Sequence, residues 1–206
     1  MIIELYGLPG SGKTTLAREI VKRTDFKSIK VNKKSELLFY NLLFLIKHPI
    51  RFFVTLFYLI LNSKNLSMFY TKFMNSFLDR NAEYQKALRY DKAMLDEAYF
   101  QNILSVFEKE MNSKFLRKYL NFLLWPDVLI VFNINPDKCF ERVGKRGYAI
   151  RSNFDREPEV KWKKIIAKND RILKKNLDSL SLNYIIVDNK KTSLDIVKEI
   201  NNQIKS

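Results

Sequence analysis

The sequence predicts an α/β protein built on a parallel β-sheet, and three observations carry that prediction. Apolar runs of strand length alternate with segments of helical spacing along the chain, the order of repeated strand–helix units. One run, DVLIVFNI at 127–134, is apolar almost without a break, as in a strand covered on both faces. The first run, IIELY, leads straight into a glycine-rich turn and a helix, GLPGSGKTTLA. At 206 residues the chain can build one well-packed core with a helical insert and a lid, so 1–206 is read as a single domain.

Ile2, Ile3, Leu5 and Tyr6 are read as the first strand, and Thr14–Thr24, with Leu16, Ala17, Ile20 and Val21 at helical spacing, as the first helix. A second strand is expected over Ser28–Val31, followed by a polar turn, NKKSE, at 32–36. From Leu37 to Leu61 two apolar runs of ten residues flank Lys47, His48, Pro49, Ile50 and Arg51. Each run falls short of the roughly 20 apolar residues that span a bilayer, and the proline marks a break between two helices. These helices are expected to pack against the rest of the protein. A membrane hairpin and a surface resting on a membrane or on a greasy acceptor remain the other readings of 37–61.

The spacing of Phe69, Phe73, Phe77 and Tyr84 predicts a helical region over 68–90, and KAMLDE at 92–97 reads as a strand ending in two carboxylates. Phe100–Leu124 reads as one long helical stretch, with a break in it left open. Asn135 and Pro136 end the strand at 127–134 and start a helix. A helix over 158–182, the strand YIIVD at 184–188 and a terminal helix from about Ser193 to Ile204 complete the chain.

The turn after the first strand carries the chemistry. Gly7, Leu8, Pro9, Gly10, Ser11, Gly12, Lys13 and Thr14 match G-x-x-x-x-G-K-[ST] at every specified place, and Thr15 follows. A triphosphate packs several negative charges together, so its site needs inward-facing amides, which glycines permit, and the positive end of a helix. Lys13 is placed to reach the β- and γ-phosphates and the Thr14 hydroxyl to ligate Mg²⁺. The motif implies a nucleoside triphosphate without naming its use, since kinases, GTPases, ATPases and transporters all employ it.

Asp96 and Glu97 follow a predicted strand, at the carboxyl edge where open parallel sheets bind ligands. One of the pair is expected to serve the metal, with Asp96 as the candidate ligand beside Thr14, and the other to act as base. Further on, ERVGKRGYAIRSNFDRE at 141–157 is basic and punctuated by glycine. Arg142, Arg146 and Arg151 are assigned to a lid over 142–157 that closes on the transferring phosphoryl group, and the lysines from 161 to 175 to solvent.

Composition narrows the partners. Hydrophobic residues at 47% with 29% charged describe a folded chain. One cysteine, Cys139, and one histidine argue against an internal disulfide and a Cys/His zinc site, which fits a cytoplasmic setting. Met1 leads directly into the first strand, so no export leader is expected. The formal charge of +15, from 37 basic and 22 acidic residues, attracts anions without choosing among them. Nucleic acid is not the expected partner, because the aromatics gather in apolar helices and do not interleave with the basic run.

Taken together, GLPGSGKTT at 7–15, FLDR at 77–80, LDE at 95–97, PDVLIVFNINPDKCFERVGKRG at 126–147 and YIIVD at 184–188 resemble the P-loop nucleoside and nucleotide kinases, thymidylate kinase most of all. The resemblance implies a three-layer α/β/α fold with a five-stranded parallel sheet, an acceptor-side helical insert over 37–75 and a basic lid. It implies ATP with Mg²⁺ as phosphoryl donor, a small-molecule acceptor, Arg80 in contact with that acceptor, and admits a homodimer. The sequence departs from thymidylate kinases after the third strand, where Asp96 is followed by Glu97, Ala98 and Tyr99 and the phosphate-binding arginine is missing. LDE followed by an aromatic and Gln101 is also similar to kinase-like proteins of bacterial polysaccharide loci, which implies a sugar or lipid-linked acceptor. The expected function is ATP- and Mg²⁺-dependent transfer of the γ-phosphoryl group to a nucleotide, nucleoside, sugar or lipid-linked acceptor, the alternative being a P-loop regulatory ATPase that has none.

Overall fold

In the computed structural model, which describes residues 1–145, 156–188 and 191–205, five parallel strands form one sheet. They are β1 (Ile2–Tyr6), β2 (Lys27–Ser28), β3 (Ala93–Leu95), β4 (Val128–Phe132) and β5 (Asn183–Val187), in the order β2-β3-β1-β4-β5. Parallel neighbours need crossovers, and helices supply them. α1 (Lys13–Arg23) joins β1 to β2, while α2 (Lys34–Lys47), α3 (Pro49–Leu61), α4 (Leu66–Lys72) and α5 (Asp79–Ala87) join β2 to β3. α6 (Asn102–Ser105) and α7 (Ser113–Leu120) precede β4; α8 (Pro136–Lys145) and α9 (Arg156–Asn176) precede β5; α10 (Ser193–Lys205) closes the chain.

β1 and β4 are buried along their whole length, which is why they read as continuous apolar runs. The exception is Glu4, a carboxyl with no solvent exposure in the middle of β1. Each of the large side chains fully buried here, among them Tyr6, Tyr99, Phe44 and Phe100, contributes on the order of 2 kcal/mol by leaving water. The register pairs Glu4 with Leu95 and Tyr6 with Val131, so the carboxyl ends of β1, β3 and β4 open onto one edge of the sheet.

Several expected boundaries move, each for a local reason. β2 covers only Lys27–Ser28, not 28–31, although the Ile29 amide still donates to the Met94 carbonyl at 3.0 Å. α2 begins at Lys34, inside the expected polar turn, with Glu36 at its positive end. β3 stops at Leu95, which leaves Asp96 and Glu97 free of the ladder. The stretch 100–124 is not one helix. Asn112 caps α7 by accepting from the Phe115 amide at 2.8 Å, and the Met111 amide donates to Asn169 at 2.9 Å. α9 ends at Asn176, short of the expected 182, and continues as a short 3₁₀ turn, Leu177–Ser179.

Between α4 and α5 lies a π-helical turn, Phe73–Leu78. Phe69, Phe73 and Phe77 stack along it, with successive centroids 5.5 Å apart and rings inclined by 19°. α2 and α3 meet at a bend of 113°, with Pro49 in the first turn of α3, and no single described helix is long and apolar enough to cross a membrane. The expectation that both helices pack against the protein holds for one face only. Tyr40, Asn41 and Phe44 of α2 and Thr55 and Leu59 of α3 are buried, whereas the opposite faces are apolar and exposed. Lys72, at the end of α4, donates to the carbonyls of Asn62 and Val106, each at 2.7 Å, and lies 2.8 Å from Glu108. That buried cation ties the 37–75 segment to the chain between α6 and α7.

Candidate active site

The turn from Gly7 to Thr14 crosses the carboxyl end of β1 and feeds α1. Gly10 and Gly12 adopt φ of +82° and +104°, a left-handed backbone that side-chain-bearing residues rarely take. Gly10 also runs against α8, where an added Cβ would stand 2.2 Å from the Cys139 carbonyl oxygen; at Gly7 it would stand 2.7 Å from the Phe132 Cβ. The glycines therefore let the loop press on β4 and α8 while it curls. The Ser11 amide donates to the Leu8 carbonyl at 3.1 Å and closes the turn. Gly12 caps α1 without a side chain, leaving the first amides of the helix for a ligand.

Lys13 is buried, and its ammonium donates to the Gly7 carbonyl at 2.7 Å and the Leu8 carbonyl at 3.3 Å. Burial pushes its pKa down, opposed by the charges of Glu97 and Asp96; Glu97 lies 3.6 Å away. Glu97 is also held from the other side. Arg80 donates to its carboxylate at 2.8 Å and its carbonyl at 2.6 Å, and lies 3.3 Å from Glu83. The result is a cation–carboxylate–cation chain, Lys13–Glu97–Arg80, across the sheet edge.

Thr14 donates to Asp96 at 3.2 Å. The second oxygen of Asp96, Oδ1, is buried with no hydrogen-bond partner. A hydroxyl beside a carboxylate with an unused buried oxygen suits a hard cation that keeps part of its water shell, so these two residues fit Mg²⁺. No group of three or more His, Cys, Asp or Glu able to hold a metal occurs among the described residues, which leaves phosphate oxygens and water to complete such a shell.

Two residues that the sequence reading gave no role support the loop. Gln101 clamps Gly7 on both sides, accepting from its amide at 3.3 Å and donating to its carbonyl at 3.2 Å. Glu4 accepts from the amides of Phe100 at 2.6 Å and Gln101 at 3.3 Å, and burial pushes its carboxyl up to about 8 even though those amides and Arg80 pull it down. A carboxyl inside an otherwise apolar strand, three residues before the first glycine of the turn, was the signal available for Glu4. Gln101 carries no such signal beyond its place after LDE and an aromatic.

Arg142 reaches the loop from α8, 3.5 Å from the Gly10 carbonyl. Arg146 and Arg151, and most of the lid expected over 142–157, lie outside the described residues. Leu8, Pro9 and Thr15 belong to the same turn and the start of α1, with the Thr15 amide donating to the Gly12 carbonyl at 3.1 Å. A separate cavity of about 350 Å³ opens beyond β4, lined by Asn133, Asn135, Pro136, Asp170, Arg171 and Lys174 among others; no residue of the phosphate loop lines it.

Comparison with known proteins agrees on the fold. A family model described as ATPase family associated with various cellular activities (AAA) matches residues 3–45, which run from β1 through the phosphate loop into α2. No curated protein matches the sequence. Among solved structures, deoxyadenosine kinase from M. mycoides with bound dATP is 16% identical over 100% of both chains, with a TM-score of 0.57. The same enzyme with dCMP and a flexible dCDP gives 17% identity over 100% of this chain and 99% of that one, at 0.56. YorR protein from Bacillus subtilis, in complex with phosphorylated GDP, is 14% identical over 100% of this chain and 96% of that one, at 0.50. The protein thus has the α/β P-loop kinase fold, with its five-stranded parallel sheet and flanking helices.

Proposed function

We propose that this protein is an ATP- and Mg²⁺-dependent kinase that transfers the γ-phosphoryl group to a small-molecule acceptor. The observation that carries the reading is the convergence of Lys13, Thr14, Asp96, Glu97 and Arg80 at one edge of the sheet. A bare phosphate loop can serve any nucleotide-binding protein, but this one stands beside a carboxylate held between two cations. The likeness to structures of deoxyadenosine kinase supports a nucleoside or nucleotide as acceptor, and the thymidylate kinase resemblance points the same way. The altered residues after Asp96 and the apolar 37–75 segment keep a sugar or lipid-linked acceptor in the same proposal.

In this reading the loop amides and Lys13 bind the triphosphate, and Thr14 and Asp96 hold Mg²⁺, which screens the phosphate charge when bound. Glu97 takes the proton of the acceptor hydroxyl as its oxygen bonds to the γ-phosphorus and the bond to the ADP oxygen breaks. Arg80 and Lys13 keep that carboxylate in place, and Arg142 approaches the phosphates over Gly10, with Arg146 and Arg151 assigned to the same lid. The AAA family-model match favours a second reading, an ATPase with no acceptor.

An ATP-consumption screen over nucleosides, nucleoside monophosphates, sugars and lipid-linked acceptors separates them. Stimulation by one class, abolished by Lys13→Ala with the circular-dichroism spectrum retained, is the expected result. Hydrolysis that no acceptor changes favours the ATPase, and ordinary turnover by the Lys13→Ala protein overturns both.

A further inference from the structure

The outer faces of α2 and α3 form an apolar surface. On α2, Leu38, Phe39, Leu42 and Ile46 are each at least 54% exposed. On α3, Ile50, Phe53, Phe57, Ile60 and Leu61 are each at least 51% exposed. Ile46 and Ile50 flank the bend, four residues apart in sequence, and α4, which contacts α3, exposes Leu66 and Tyr70. A soluble monomer rarely leaves an apolar area of this extent uncovered, and such areas mark partner surfaces.

Charge chooses the partner. From Leu37 to Leu78 the chain has no Asp or Glu, while Lys47 and Lys64 lie in that stretch and Lys33 and Lys34 just before it, all four exposed; Glu36, between them, is ion-paired with Lys86 at 2.6 Å. A second copy seated on this face would bring those lysines toward their own kind, within a chain of net charge +15, with no carboxylate from the stretch to answer them. An anionic bilayer satisfies both features, with its acyl boundary taking the apolar side chains and its headgroups the lysines. Helices of 14 and 13 residues are too short to span, and the bend suits a pair lying along the interface.

We infer that the α2–α3 face, extended by α4, docks the protein on an anionic membrane surface. The inference does not depend on the kinase reading. Flotation of the full chain with vesicles of equal parts phosphatidylglycerol and phosphatidylcholine tests it, beside vesicles of phosphatidylcholine alone.

The protein is expected to float with the mixed vesicles and at least about tenfold less with the neutral ones, since each lysine at an anionic surface strengthens binding about fivefold. Phe53→Gln with Phe57→Gln should lower flotation on mixed vesicles by about tenfold or more, because two apolar anchors are lost. Lys47→Glu with Lys64→Glu should do the same at low salt and differ less from wild type at high salt. All four side chains are largely exposed, so melting temperatures should stay near that of the wild type and check each fold separately. Equal flotation with both vesicle types, or flotation that neither double variant weakens, overturns the inference. So does a concentration-dependent dimer in sedimentation velocity that the Phe variant dissolves and that binds no vesicle. Nucleotide binding measured in parallel keeps the kinase reading apart from this result.

Discussion

Glu4 makes the protein's stability depend on pH in a direction opposite to that of a salt-bridged carboxylate. In the folded chain burial holds its carboxyl protonated up to about pH 8, against 4.5 for the free side chain. Between these values the unfolded chain has released the proton and the folded chain has not, so the folded state binds more protons and loses stability as pH rises. The slope is about 1.4 kcal/mol per pH unit, and the interval accumulates a loss on the order of 5 kcal/mol. Glu4→Gln removes the titration while retaining an oxygen to accept from the Phe100 amide, now 2.6 Å from Oε1. Urea unfolding of both proteins at a series of pH values isolates the effect, because all other titrating groups cancel in the difference. The wild type is expected to fall away from the variant by about 1.4 kcal/mol per unit between about pH 5 and pH 7.5, the two converging in acid. Parallel curves would show Glu4 ionised in the folded chain, held so by Arg80, and would refute the reasoning.

Glu97→Gln is expected to lower kcat by on the order of a hundredfold or more with nucleotide affinity little changed, whereas Asp96→Asn should raise the Mg²⁺ concentration needed for half-maximal rate; a larger kcat effect at Asp96 reverses the two roles. Gly10→Ala places a Cβ 2.2 Å from the Cys139 carbonyl at φ +82°, so calorimetry with ATP should show binding lost and thermal melting a protein weakened by about 1–3 kcal/mol; unchanged affinity would mean the loop does not need this backbone. Lys72→Ala removes the cation of a buried ion pair with Glu108, and chemical denaturation should read a loss of about 3–5 kcal/mol. A loss below about 1 kcal/mol, the scale of an exposed pair, would place the cation in solvent instead.

The fold was legible wherever its determinants are contiguous. Gly7–Thr14 is a local object, because glycines at fixed spacing permit its backbone and the next residue starts a helix; the continuous apolar run of β4 likewise announces a strand covered on both sides. Boundaries were less legible, since the ends of β2 and β3 depend on where a neighbouring strand stops donating and accepting. The 37–61 segment escaped for another reason. On these helices the polar Asn41 and Thr55 turn inward and rows of apolar side chains turn outward, the reverse of the usual amphipathic pattern, and only packing against the rest of the chain made that choice.

The sequence by itself determined the phosphate-binding turn, the alternation of strands with helices, and a stretch of cations without acids from Leu37 to Leu78. Tertiary structure alone decided what stands beside the turn. Thr14 meets Asp96, Lys13 meets Glu97, and Gln101 grips Gly7 because β3 lies next to β1 with Leu95 opposite Glu4. Each pair is separated by more than 80 residues, and one step of register would turn β3 over and carry both acids away from the loop.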